Sequence, residues 1–243
     1  MSAPLLSVHG VSKRFGGLSA VRDVSFSVEA GEIVGVIGPN GAGKTTLFSL
    51  VSGFARPDAG AIWFEGHPVT NLAPERRCHL GLCRTFQLVK PFGNMTVREN
   101  VMVGAFTHRR SVKDARAAAE NVLETTGMVA VGDVLAKALP IELRKRLEVA
   151  RALATSPRLL LLDEVFAGLN PTEINGMIQF LRRVHADGVT LLVIEHIMAV
   201  IMGVSGRVLV LHHGEKIVEG PPAAVARNPR VIEAYLGEEY LLA

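Results

Sequence analysis

The stretch Gly38-Pro39-Asn40-Gly41-Ala42-Gly43-Lys44-Thr45-Thr46 decides how the rest of the chain is read. It satisfies G-x-x-x-x-G-K-[ST] between an apolar, β-branched run, Ile33 to Ile37, and a helical pattern, Leu47 to Gly53. Chemistry explains the composition. Successive backbone N–H groups must turn toward phosphate oxygens, glycines permit the angles and the close approach, and a helix N-terminus adds its positive dipole end. Lys44 supplies charge to the β- and γ-phosphates, and the Thr45 hydroxyl completes a Mg²⁺ shell. A glycine-rich turn that only happens to precede Lys-Thr lacks a reason for both flanks.

Outward from this loop, short β-rich segments run over Leu5 to Val11, Val21 to Val28, Glu32 to Ile37 and Ala61 to Phe64, with Glu65-Gly66 as a turn. Helical periodicity follows at Thr96 to Thr107, opened by the capping box Thr96-x-x-Glu99, and at Ser111 to Thr126. Leu159 to Leu162 then runs into Asp163-Glu164. In a nucleotide site the first carboxylate holds Mg²⁺ and the second polarises an attacking water. Asn170-Pro171-Thr172-Glu173 opens a helix whose apolar face is Ile174, Ile178 and Leu181. Val189 to Ile194 is the continuous apolar run of a strand covered on both faces. Arg207 to Leu211 and Lys216 to Val218 form a hairpin around His213-Gly214, and Pro221 to Tyr240 reads as short helices. The expected architecture is an α/β P-loop NTPase (RecA-like) core with an N-terminal antiparallel β subdomain and an inserted helical subdomain. Its expected parts are 1–86, 87–156 and 157–243.

Composition excludes other classes. The 243 residues are 49% hydrophobic and 20% charged, which rules out disorder as the dominant state. Lys plus Arg number 26 against 23 acids, and the basic pairs are scattered, so no nucleic-acid stripe is formed. The apolar stretch Val189 to Leu211 contains Glu195, His196 and Arg207 and is broken by Gly203 and Gly206. A charge at a helix centre in lipid costs about 2.5 to 3.5 kcal/mol, so a buried strand and a core helix are expected there. Two cysteines, Cys78 and Cys83, are too few for a disulfide scaffold or a four-ligand metal site. No secretory signal opens the chain, and a reducing cytoplasm is the expected compartment.

These residues resemble the ATP-binding cassette family, in particular the nucleotide-binding subunits of branched-chain amino-acid importers. The resemblance rests on Phe15-Gly16-Gly17, the Gly38–Thr46 loop, Arg84-Thr85-Phe86-Gln87, Thr96-Val97-Arg98-Glu99-Asn100, Leu147-Glu148-Val149-Ala150-Arg151-Ala152-Leu153, Asp163-Glu164, Ala167-Gly168-Leu169-Asn170-Pro171, Ile194-Glu195-His196 and Ala234-Tyr235-Leu236-Gly237. It implies an ATPase with ATP and Mg²⁺ as ligands. By resemblance Phe15 stacks on adenine, and Gln87 is the switch glutamine that senses Mg²⁺ and the γ-phosphate. Asp163 with Thr45 holds Mg²⁺, Glu164 is the catalytic carboxylate, and His196 contacts the γ-phosphate. Taken singly, Phe15 reads as core, Gln87 as a helix cap and His196 as a buried histidine paired with a carbonyl, and their joint spacing reverses that reading.

The family hydrolyses ATP when two cassettes close head to tail, each offering a Leu-Ser-Gly-Gly-Gln signature to the other's nucleotide. Here the sequence departs from its family, with Leu139-Pro140-Ile141-Glu142-Leu143. Pro140 lacks an N–H, and a Glu142 carboxylate facing a γ-phosphate is repulsive. A milder reading turns Glu142 to solvent and leaves the loop's N–H groups to bind. Val165, Asn170 and Ile197 are smaller departures. The implied partners are an integral-membrane permease, a second and non-identical cassette and, indirectly, a solute-binding protein, with the chain peripheral on the cytoplasmic face of the inner (plasma) membrane. The apolar segment Leu88 to Met95 is the expected docking surface for the permease; the alternative is a loop folded over the helical lobe's own core. The rival functional reading is a soluble or regulatory cassette ATPase not coupled to transport. Soluble cassettes acting on DNA or ribosomes usually carry paired cassettes or basic inserts, and this sequence shows neither.

Overall fold

Runs in which every side chain is buried mark where strands must lie inside the molecule, because only a strand covered on both faces can place consecutive residues away from water. Leu159–Asp163 and Thr190–Ile194 are such runs, and Ile33–Ile37 is one but for its first residue. The structure is a computed structural model and describes residues 3–86 and 90–240. The elements in the first third are β1 (Leu6–Phe15), β2 (Leu18–Val28), β3 (Ile33–Ile37), α1 (Lys44–Ser52), β4 (Ala59–Phe64), β5 (His67–Pro68), α2 (Pro74–His79) and β6 (Leu82–Arg84). Then come α3 (Val97–Ala105), α4 (Val112–Thr126), α5 (Ile141–Leu153), β7 (Leu159–Asp163) and α6 (Pro171–Ala186). The chain ends with β8 (Thr190–Ile194), α7 (Met198–Val204), β9 (Arg207–His212), β10 (Glu215–Gly220), α8 (Pro222–Ala226) and α9 (Pro229–Tyr240). These elements gather into two units, Met1–Arg77 with Thr190–Ala243, and Cys78–Val189.

The first unit holds the antiparallel sheet β2-β1-β4-β5, in which Leu6 faces Val28 on one side and Phe64 on the other. Leu6, Val8 and Val11 are buried while Ser7 and His9 are not, the alternation of a sheet with one wet face. A second layer has the order β10-β9-β3-β8, with β3 parallel to β8 and β9, and β10 antiparallel to β9. The expected hairpin is thus β9 and β10, turning at His213-Gly214. The buried strand and core helix expected from Val189 to Leu211 are β8 and α7, and among the described residues no helix is long and apolar enough to cross a membrane.

Helix α1 ends against a buried guanidinium. Arg77, 1% exposed, donates through Nη1 to the carbonyls of Leu50 (2.8 Å) and Val51 (2.6 Å), and through Nε and Nη2 to Leu72 (3.0 Å) and Thr70 (3.0 Å). Leu50 and Val51 belong to the last turn of α1, where helix carbonyls lack an intrahelical partner. Burial lowers the Arg77 pKa to about 10, which still leaves it charged at neutral pH.

In the second unit α3, α4 and α5 enclose a core of Val97, Val101, Leu123, Met128, Leu139 and Leu147. Small residues let these helices close up. A Cβ on Gly104 would lie 2.2 Å from the Arg151 carbonyl, so α3 and α5 approach as only glycine allows. The capping box forms as expected, with the Thr96 hydroxyl accepting from Glu99 N–H and the Glu99 carboxylate accepting from Thr96 N–H. Asn170 and Glu173 form a second one at α6. In the same unit β6 pairs parallel with β7, placing Leu82 beside Leu159.

Candidate functional site

The phosphate loop leaves β3 at Gly38 and enters α1 at Lys44. Its backbone is one that only glycine can supply at two points. A Cβ on Gly38 (φ +153°) would sit 2.1 Å from the Leu211 carbonyl, and one on Gly43 (φ +97°) 2.3 Å from the Ala20 carbonyl. No side chain caps α1, which starts at Lys44, while within the loop Ala42 N–H donates to the Pro39 carbonyl at 3.2 Å. The hairpin turn props the loop from behind, since Gly214 N–H donates to the Ala42 carbonyl at 3.1 Å. Lys44 is 8% exposed, and its Nζ donates to the carbonyls of Gly38 (2.6 Å) and Pro39 (2.8 Å). The ammonium therefore lies along its own loop. Thr45 is exposed and Thr46 half-buried, with the Thr45 hydroxyl at the first turn of the helix.

Two more expected site residues belong to this unit. Phe15, at the end of β1, is 53% exposed with the Lys13 ammonium 5.6 Å from its ring centroid. His196 follows β8 and is exposed, its Nδ1 3.8 Å from a Glu195 carboxylate oxygen that is fully buried. The bland readings of Phe15 as core and His196 as a buried histidine are therefore wrong. Exposed aromatic and imidazole groups at strand ends are free to meet a ligand.

The carboxylates lie in the second unit. Asp163 ends β7 at 2% exposure, and its Oδ2 accepts from Arg84 Nη2 at 2.6 Å. A carboxylate this deep needs such a partner. Glu164 is half-buried with φ +50°, a left-handed conformation uncommon outside glycine that turns the chain sharply after the strand. Lys145, itself 5% exposed, holds the turn by donating to the Glu164 carbonyl at 3.1 Å. Thr85 N–H donates to the Leu161 carbonyl at 2.9 Å, and its hydroxyl accepts from Asp163 N–H at 3.3 Å, which ties the approach to the switch position onto β7. Phe86 N–H donates to Glu148 Oε1 at 2.7 Å, and burial raises the Glu148 pKa against that hydrogen bond. Gln87 lies outside the described residues. Arg84, Lys145 and Glu148 carried no assigned role in the sequence. Each acts across 19 to 79 positions, a separation at which periodicity is silent.

At the altered signature, α5 starts at Ile141 with Pro140 as its cap and no side-chain acceptor for its first amides. Glu142 is drawn back along the helix to Arg146 at 2.6 Å, and Arg146 lies over the Phe180 ring at 5.7 Å. The carboxylate is neither free in solvent nor aimed outward along the helix axis. Of the expected docking segment, Leu88 and Val89 lie outside the described residues. The Asn100 side chain pins the remainder, accepting from Phe92 N–H at 2.9 Å and donating to the Phe92, Met95 and Thr96 carbonyls. Phe92 stays 46% exposed under the Arg151 guanidinium at 4.8 Å. A nearby cleft of about 550 Å³ is lined by Arg84, Phe86, Lys90, Val103, Glu148 and Arg151.

Each unit carries groups of the type that a nucleotide or its cation takes. In the first unit, backbone that only glycine can supply suits the close approach of phosphate oxygens, and the Thr45 hydroxyl is a hard oxygen donor of the kind Mg²⁺ takes. In the second unit, the Asp163 carboxylate is of the same kind. Residues 215–240 match the branched-chain amino acid ATP-binding cassette transporter family. The high-affinity branched-chain amino acid transport ATP-binding protein LivG of Escherichia coli K12 is 41% identical over 98% of this chain and 100% of its own. Its counterpart BraF of Pseudomonas aeruginosa is 38% identical over 98% and 100%. A crystal structure of the ADP conformation of an ATP-binding cassette of an ABC transporter superposes with a TM-score of 0.88, at 31% identity, over 97% of this chain and 100% of that one. With residues 21–167 matching the ABC transporter family model as well, the chain belongs to the ABC transporter family, as one of its ATP-binding cassettes.

Proposed function

We propose that the chain is the ATP-binding and ATP-hydrolysing subunit of an importer for branched-chain or related amino acids, acting peripherally at the cytoplasmic face of the inner (plasma) membrane. The glycine-only geometry at Gly38 and Gly43, with Lys44 folded along the loop, carries the reading. The names of the relatives supply the solute class. In this assignment the amides from Asn40 to Thr46 and the Lys44 ammonium bind the polyphosphate, and Phe15 stacks on the adenine. Thr45, Asp163 and Gln87 hold Mg²⁺, which neutralises charge on the phosphate oxygens when bound. Glu164 takes a proton from the attacking water through a carboxylate oxygen, and His196 meets the γ-phosphate. ADP and inorganic phosphate are the products.

The signature loop supports a non-identical partner cassette. Pro140 offers no N–H, so this chain presents a poor signature while keeping its own nucleotide machinery. Mixing the purified chain with its cognate cassette should raise ATPase turnover by about tenfold or more, which is about 1.4 kcal/mol of transition-state stabilisation. Robust, cooperative hydrolysis by the chain alone would overturn the heterodimer. Because Glu142 is already drawn to Arg146, Glu142→Gly should leave that turnover within about twofold, as for an i,i+4 helix pair of small net worth.

Permease docking is assigned to the segment around Phe92, whose exposed ring stands on a backbone fixed by Asn100. Phe92→Asp should abolish transport in the assembled importer while ATP affinity stays within about twofold, since an introduced charge in an apolar contact is costly only where that contact forms. Equal loss of both would mean folding damage and would remove the assignment.

A further inference from the structure

Cys78 closes the last turn of α2 and Cys83 is the middle residue of β6, with four residues between them that reverse the chain. The reversal is fixed. Gly81 N–H donates to the Cys78 carbonyl at 2.9 Å, Gly81 holds φ +96°, and the Gly81 carbonyl accepts from the amides of Arg158 and Leu159. This geometry brings the two sulfur atoms to 3.3 Å. Both are free thiols, Cys78 half-buried and Cys83 5% exposed, with Cys83 Sγ also 2.9 Å from Thr155 Oγ1.

The two thiols are unlike. Contact with the Cys83 thiol lowers the Cys78 pKa to about 7 against the effect of burial. That same contact, with burial, pushes Cys83 well up. A more exposed thiol ionised near neutral pH, touching a buried and protonated one, is the arrangement of an attacking and a resolving cysteine.

We propose that Cys78 and Cys83 form a dithiol that a low-molecular-weight disulfide of the glutathione class converts reversibly to an intrachain disulfide. In the first step the Cys78 thiolate attacks one sulfur of oxidised glutathione, forming a mixed disulfide and releasing one glutathione thiolate. In the second the Cys83 thiol loses its proton to water and attacks Cys78 Sγ, breaking the mixed disulfide and releasing the second thiolate. Two protein thiols are oxidised and one glutathione disulfide is reduced to two thiols. Bond formation needs the sulfurs to close from 3.3 Å to about 2.05 Å. Cys83 thereby leaves Thr155, and the end of α2 becomes tied to β6, one residue before the Arg84 that holds Asp163.

The chain has two cysteines in all, so thiol counting reads the pair directly. The folded full-length chain is incubated with oxidised glutathione at neutral pH, denatured, alkylated with N-ethylmaleimide and weighed intact. The expected product takes up no maleimide, carries no glutathione and is about 2 Da lighter than the reduced chain, and dithiothreitol restores two alkylatable thiols. Cys83→Ser should stop at one glutathionyl adduct on Cys78, and Cys78→Ser should react at least about tenfold more slowly. A wild-type chain that keeps a glutathionyl adduct, that remains alkylatable at both positions, or that forms a disulfide-linked dimer overturns the proposal. The wild-type result decides by itself should either variant fold poorly.

Discussion

Lys44→Ala is expected to lower Mg-ATP affinity by about 100-fold or more, read by calorimetry on folded protein. An ammonium about 4 Å from a phosphate charge is worth about 4 kcal/mol at an effective dielectric of 20, and each 1.4 kcal/mol is a factor of ten. Part of this is offset, because nucleotide must compete with the Gly38 and Pro39 carbonyls that already accept from Lys44 Nζ. Lys44→Arg should fare little better. A planar fork cannot occupy the slot where one buried Nζ sits 2.6 and 2.8 Å from two neighbouring carbonyls. An affinity within threefold of wild type for the alanine variant would show that the loop does not hold the polyphosphate.

Glu164→Gln should reduce kcat by about 10² to 10⁴-fold, the range for losing a positioned general base, while ATP affinity stays within about threefold. The substitution keeps size and shape, which matters where φ is +50° and the main chain is held by Lys145. Any loss is then chemical, since the left-handed turn and its lysine contact survive. Steady-state turnover with the partner cassette present is the measurement. More than a tenth of wild-type activity in the variant would move the base elsewhere.

The features legible from sequence are those in which one short segment carries its own physics. The Gly38–Thr46 loop is dictated by the phosphates it must approach, Leu159 to Leu162 by burial on both faces, and the openings at Thr96 and Asn170 by capping chemistry. Short elements left no such trace. Strand β6 has three residues, less than two periods of alternation, and α2 has six, less than two helical turns. Strand β1 runs on to Phe15, four residues past the expected end, because bulges near Val11 and Lys13 break the alternation that marks a strand. The second layer of the site was invisible for a different reason. The Arg84–Asp163 pair, the Glu148 acceptor for Phe86 and the Gly214 prop beneath Ala42 each join residues that only the finished fold makes neighbours.

The guanidinium at the far end of α1 has a consequence for an empty cassette. A helix with no side-chain cap on its first amides depends on its opposite, carbonyl pole being held when no anion is bound, and there Gly53 N–H already donates to the Leu50 carbonyl. Arg77 satisfies that pole permanently through Leu50 and Val51. The nucleotide can therefore depart after each cycle without the helix unravelling, and the loop is ready for the next triphosphate without refolding.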